Sequence, residues 1–84
     1  MKPLQTLVAT VAKNAVEEVR VSLSEFKGSH LVDMRIYAEF GGVAGEKKAT
    51  KKGVALKLAK LPALIEALQA AQAEAEKQGL LAAA

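Results

Sequence analysis

The chain has no cysteine and no tryptophan, a single histidine (His30), two prolines and three aromatic side chains, Phe26, Tyr37 and Phe40. Without cysteine there is no disulfide framework and no thiolate metal site. With one histidine, neither the common metal sites nor a nucleophile–base pair can be assembled within one chain, and His30 reads as a turn residue. Ser22 and Ser24 flank a strand position and carry no local activation signature. Glu17 and Glu18 are strand neighbours that point to opposite faces, so they would not converge on one substrate. The glycines at 41, 42 and 45 follow a strand, but no helix opens there and the Gly-Lys-Ser/Thr ending of a phosphate loop is missing. An enzymatic function is therefore not expected, nor is a metal or cofactor. Long apolar runs are lacking too. Met1 to Ala12 is broken by Lys2, Pro3, Gln5, Thr6 and Thr10, unlike a secretory signal, and nothing approaches the ~18 apolar residues of a membrane span. The expectation is a soluble, intracellular protein.

What remains is small. Eighty-four residues make one domain with one core, and a chain of this size typically buries only about 60% of its unfolded surface. The apolar fraction of 51% includes 17 alanines, which add little volume. With no disulfide or metal, association with a second copy is the remaining source of stability. The net charge of +3 is uneven: residues 1–46 sum to −1, residues 47–60 hold six lysines and no acid, and residues 61–84 sum to −2. Such a block suits a polyanion, although a solvated lysine loop is the commoner meaning of a charge run taken alone.

Residues 1–14 are consistent with a first strand, a frayed helix or an arm, with Leu7 to Lys13 rich in Val, Thr and Ala. From Glu18 to Leu23, Val19, Val21 and Leu23 alternate with Glu18, Arg20 and Ser22, the period of a half-buried strand. Ser24 to His30 turns around Gly28. Leu31 to Phe40 alternates without interruption, with Val32, Met34, Ile36, Ala38 and Phe40 on one face and Leu31, Asp33, Arg35, Tyr37 and Glu39 on the other. Gly41, Gly42 and Gly45 open a polar loop that runs through Lys47-Lys48-Ala49-Thr50-Lys51-Lys52-Gly53, and Val54, Leu56 and Leu58 mark a last strand. The period then changes. Pro62 suits a first helical turn, Leu61, Leu64, Ile65, Leu68, Ala71, Gln72 and Ala75 form one stripe at 3.6-residue spacing, and Gly79 is a stop. The chain thus reads as one α+β domain: a four-stranded antiparallel sheet, placed over 15–58 with residues 1–14 as an arm or the first strand, covered on one side by a helix over 61–78, with a tail at 79–84. A single narrow helix is thin cover, so a two-fold dimer is expected, with Leu61, Leu64, Ile65 and Leu68 at the helix contact and the sheet edges contributing.

Binding to a nucleic acid is readily built from these residues. Arg35 and Tyr37 lie two positions apart on the outward face of the central strand, and Arg20 joins them where register permits. The turn supplies Phe26 and Lys27, and the loop supplies Lys48, Lys51 and Lys52. Cations track phosphates, and rings stack on unpaired bases at ~1–3 kcal/mol each. The combination favours single strands over duplex. The plainer meanings stay open: Phe26 plugging the sheet edge, Tyr37 packing across strands, the lysines keeping the protein soluble.

The segments Val19-Arg20-Val21-Ser22-Leu23-Ser24-Glu25-Phe26-Lys27-Gly28, Leu31-Val32-Asp33-Met34-Arg35-Ile36-Tyr37 and Lys48-Ala49-Thr50-Lys51-Lys52-Gly53-Val54-Ala55-Leu56 resemble, in order and spacing, the positive cofactor four family of transcriptional coactivators. The resemblance runs from about Val11 to Leu68, and the alanine-rich composition looks like a bacterial or phage member. It implies four antiparallel strands and a helix that pairs with its twin in a homodimer. It implies binding of single-stranded or unwound DNA with little sequence preference, in a transcription coactivator or regulator of the cytoplasm and nucleoid. Carried over by position, Phe26 would stack a base, Lys27 and Arg35 would contact phosphates, Lys48, Lys51 and Lys52 would come from the loop before the last strand, and Gly53 would permit close backbone approach. The chain departs from the nuclear members at Ala38, where they place a tryptophan, at Ser24, where they have an arginine, and at Ser29, where they have a lysine. Weaker single-strand affinity is the implied result, and without a long Ser- and acid-rich segment, phosphorylation control is not expected. Two other readings stay beside this one: a module that docks onto the transcription or repair machinery, with the lysines only steering, and an RNA-binding protein.

Overall fold

Alternating side chains build the sheet, and the 3.6-residue stripe builds the helix after it. The computed structural model describes residues 5–39 and 46–82. Strands β1 (Gln5–Ala12), β2 (Glu17–Phe26), β3 (Ser29–Glu39) and β4 (Lys47–Lys57) lead through a 3₁₀ turn (Leu58–Lys60) into helix α1 (Leu61–Lys77). The strands form one sheet in the order β1-β2-β3-β4, every pair antiparallel. Phe40 and the glycines at 41, 42 and 45 lie outside the described residues.

The N-terminal segment is a strand. It pairs with β2 from Gln5 opposite Ser24 to Ala12 opposite Glu18, with one irregularity between Leu7 and Ala9. The sheet therefore starts ten residues before the expected boundary at 15. The β1–β2 turn is organised by Asn14, whose side-chain oxygen accepts the N–H groups of Val16 (2.9 Å) and Glu17 (2.8 Å), while its amide donates to the Glu17 carboxylate (2.7 Å). Asparagine suits this work because its side chain mimics a backbone turn. That amide bond holds the Glu17 carboxyl below its ordinary pKa against a smaller opposing effect of desolvation, and Lys13 adds to the lowering.

The β2–β3 turn is tighter than Ser24 to His30. Lys27 (φ 50°) and Gly28 (φ 81°) both adopt left-handed conformations, as a two-residue hairpin requires to match the twist of its strands. Pairing then runs without a break from Glu17 opposite Ala38 to Phe26 opposite Ser29, and His30 belongs to β3 rather than to a turn.

The lysine-rich segment is a strand, not a loop. β4 begins at Lys47, and Leu58 falls in the 3₁₀ turn. Between Gly53 opposite Arg35 and Ala49 opposite Tyr37, three residues of β4 face one of β3, a bulge. Thr50 pins it: its hydroxyl donates to the Ile36 carbonyl (2.9 Å) and accepts the Lys52 N–H (3.1 Å). The alternation of Val54 and Leu56 marks only the end of β4; its first half, of Lys, Thr and Ala, shows none, so only pairing reveals it.

Register assigns the faces. One carries Val19, Val21 and Leu23 of β2, Val32, Met34, Ile36 and Ala38 of β3, and Val54 and Leu56 of β4. Val32 and Ala38 are the only buried apolar side chains among the described residues. The expected helical cover is missing within one chain. α1 packs chiefly on the 3₁₀ turn before it and buries no residue; Leu61 and Leu64 are half-buried, while Ile65 and Leu68 are 47% and 56% exposed. The radius of gyration is 15.3 Å, against about 12 Å for a compact domain of this length. Pro62 sits in the first turn of α1, and Gly79 (φ 75°) ends it, with the N–H groups of Gln78, Gly79 and Leu80 donating to the carbonyls of Glu74, Glu76 and Ala75. Neither α1 nor the 3₁₀ turn is long and apolar enough to cross a membrane.

Candidate nucleic-acid interface

The second face of the sheet carries the charged and aromatic side chains. By register, Arg20 lies opposite Arg35, Glu18 opposite Tyr37, Ser22 opposite Asp33, Ser24 opposite Leu31 and Phe26 opposite Ser29. β4 adds Lys47 opposite Glu39, Ala49, Gly53, Ala55, and Lys57 opposite Leu31. Of the residues predicted from sequence, this face unites Arg20, Phe26, Arg35 and Tyr37, with Lys27 at the hairpin tip and Gly53 on the neighbouring strand. Lys51 and Lys52 project from the bulge and are exposed. Lys48 is not brought onto this side, because it pairs with the buried Ala38 and so occupies the opposite pleat.

The two arginines have local partners. Arg20 donates to Glu18 (2.5 Å), and its guanidinium carbon sits 4.1 Å from the centre of the Tyr37 ring. Arg35 grips Asp33 through Nε (3.3 Å) and Nη2 (3.1 Å), and its Nη1 donates to the Thr50 carbonyl (3.3 Å). Arg35 thus braces the bulge. Lys47 reaches the second oxygen of Glu18 at 3.7 Å. The hydrogen bond from Arg20, more than the opposing desolvation, holds the Glu18 carboxyl below its ordinary pKa. One side of Tyr37 is accordingly taken up by Arg20, the cross-strand packing that remained open from sequence. The masking carboxylates were missed, although the signal was present: Glu18 precedes Arg20 by two residues and Asp33 precedes Arg35 by two, spacings that place each pair on one strand face.

With the arginines paired, the positive charge outside direct salt bridges lies elsewhere, although Lys52 still acts at longer range on the Glu17 carboxylate. Lys48, Lys51, Lys52 and Lys57 of β4, with Lys60 just beyond it, are exposed and join none of the four salt bridges among the described residues. Phe26 is the open aromatic, 62% exposed, with the Lys27 ammonium 5.4 Å from its ring centre. Gly53 permits a close approach, and the approach is to β3. A Cβ there would stand 2.5 Å from the Met34 carbonyl oxygen and 2.9 Å from the Arg35 Cα. Among the described residues no group of three or more histidine, aspartate or glutamate side chains is placed to hold a metal ion.

Residues 13–67 match the family described as Transcriptional Coactivator p15 (PC4). Two crystal forms of a PC4 homolog from Burkholderia pseudomallei are similar in structure. The tetragonal form is 25% identical with a TM-score of 0.71, covering 81% of this chain and 97% of that one. The orthorhombic form is 24% identical with a TM-score of 0.73, covering 86% and 95%. No curated protein matches the chain. The family match spans both central strands, the bulged edge strand and the first half of the helix, and on that ground this chain belongs to the PC4 family, a family of DNA-binding rather than catalytic proteins whose general function is single-strand binding of a coactivator-like kind.

Proposed function

We propose that the protein binds single-stranded DNA as a homodimer, with little sequence preference, and acts as a transcription coactivator or regulator. The observation that carries this reading is the exposed Phe26 ring, held at the hairpin end of a sheet face beside Lys27, with the exposed lysines of β4 further along the same sheet. A base stacked on a ring is recognised by its π-face, which every base has, and lysines recognise phosphates, which every nucleotide has. Neither contact selects a sequence. The bases of a duplex are already stacked, so the ring gives no advantage there. The dimer is supported by the uncovered apolar sheet face, by the absence of buried residues on α1 and by the Leu61, Leu64, Ile65 and Leu68 stripe.

Fluorescence anisotropy on a labelled strand of about 20 nucleotides, its duplex and the matching RNA, each across a salt series, tests the reading. Single strands should bind more tightly than duplex, and affinity should fall as salt rises. Equal affinity for duplex would count against stacking. Tighter binding of RNA would replace the substrate, and absence of nucleic-acid binding together with salt-resistant capture of a polymerase component would favour the docking module.

A further inference from the structure

We infer that Lys57 is a phosphate-binding residue that, with Lys27, brackets Phe26, so that the hairpin end of the sheet grips one nucleotide of a single strand. The inference rests on the single-strand reading and adds a residue to it. Three observations carry it. First, register places Lys57 opposite Leu31, and Leu31 opposite Ser24, so all three share the face on which Phe26 lies one step nearer the hairpin. Lys57 and Phe26 are two strand spacings apart across the sheet and two residues apart along it, about 12 Å in all, a span that a lysine side chain bridges for a ligand lying on Leu31. Second, Lys57 is the one described lysine of the strand portion of this face without an ion pair, since Lys47 is engaged by Glu18. Third, no carboxylate on this face is left to compete at that end. Asp33, in the adjacent row, is held by Arg35, and Glu25 pairs with His30 on the opposite pleat.

The small side chains of Ser24 and Ser29 and the flat side of Leu31 leave the surface between ring and ammonium low. A base lying on Phe26 would have one flanking phosphate toward Lys27, already drawn to the ring, and the other toward Lys57. The strand would cross the sheet from the hairpin tip to β4 and meet Lys60 in the 3₁₀ turn, which continues the same edge.

The test compares the wild-type protein with Lys57→Ala, Lys57→Arg and, as a charge control at the far end of α1, Lys77→Ala, using a labelled oligothymidylate. Loss of one phosphate contact should reduce the salt slope by about 0.7, so that between about 50 mM and about 200 mM salt Lys57→Ala loses about 2.6-fold less affinity than wild type. Lys57→Arg should keep the slope and Lys77→Ala should leave it unchanged. Combining Lys57→Ala with Phe26→Ala should cost less than the sum of the two, because both hold the same nucleotide. Thermal unfolding should show all variants folded. A wild-type slope in Lys57→Ala, or an equal drop in Lys77→Ala, overturns the inference alone; a wild-type protein that does not bind the oligonucleotide overturns the single-strand reading and this inference with it.

Discussion

Gly53 lies against Arg35 with no room for a side chain between them: a Cβ would meet backbone atoms of Met34 and Arg35 at 2.5 and 2.9 Å. Its φ of 156° is likewise a value that other residues rarely adopt. Gly53 ends the bulge that sends Lys51 and Lys52 outward, so local backbone chemistry and the display of charge are one structural problem.

Gly53→Ala should therefore destabilise the fold by about 1–3 kcal/mol, since the clash is with backbone rather than with a movable side chain. Urea unfolding followed by circular dichroism measures it. A midpoint equal to wild type would show that β4 can shift away from β3 without penalty.

Phe26→Ala should leave the fold intact, because the ring is mostly solvent-exposed, and should weaken single-strand binding by ~1–3 kcal/mol at every salt concentration. Replacing both Lys51 and Lys52 by Ala should act differently, flattening the salt slope by about 1.4. Anisotropy titrations separate the two effects.

Protonation of Glu18 should release Arg20 and Lys47. Its native pKa is depressed, so the stabilisation from this pair is in force above the unfolded-state value and is lost as pH falls through the lower native one. Carbon-detected NMR titration should place the Glu18 midpoint below that of an ordinary glutamate, and Arg20→Ala should move it up. An unmoved midpoint would reassign the cause.

Leu68→Asp should reduce the solution mass to that of one chain, because Leu68 is exposed on α1 in the single chain and its loss costs the monomer little. Sedimentation equilibrium reads the outcome; a wild-type protein already at the mass of one chain removes the dimer from the proposal.

The alternation of Val32, Met34, Ile36 and Ala38 made β3 legible, and Pro62 with the leucine stripe located α1 almost to the residue. Of β4 only the end at Val54 and Leu56 was legible; its lysine-rich first half was not, because its pairing depends on Thr50 reaching Ile36 and on Gly53 pressing against Arg35, contacts between positions 14 or more residues apart. For the same reason Lys48 was grouped with the binding face and Lys47 and Lys57 were not: which lysine points where follows from cross-strand register, which lysine content does not encode. Phe26 was legible as an exposed ring only through the family resemblance. From residue type alone, a phenylalanine beside a turn is as readily an edge plug.

The bulge at Thr50–Lys52 has one more effect, on how the sheet tolerates change. The ladder pairs on either side of it, Ala49 with Tyr37 and Gly53 with Arg35, are tied together through Thr50, whose hydroxyl reaches Ile36 and whose carbonyl is held by Arg35, so a residue inserted or removed there would break both ties. It works as a clasp: the reach of the charged rim is set at one threonine, and a change there would be felt by both flanking pairs.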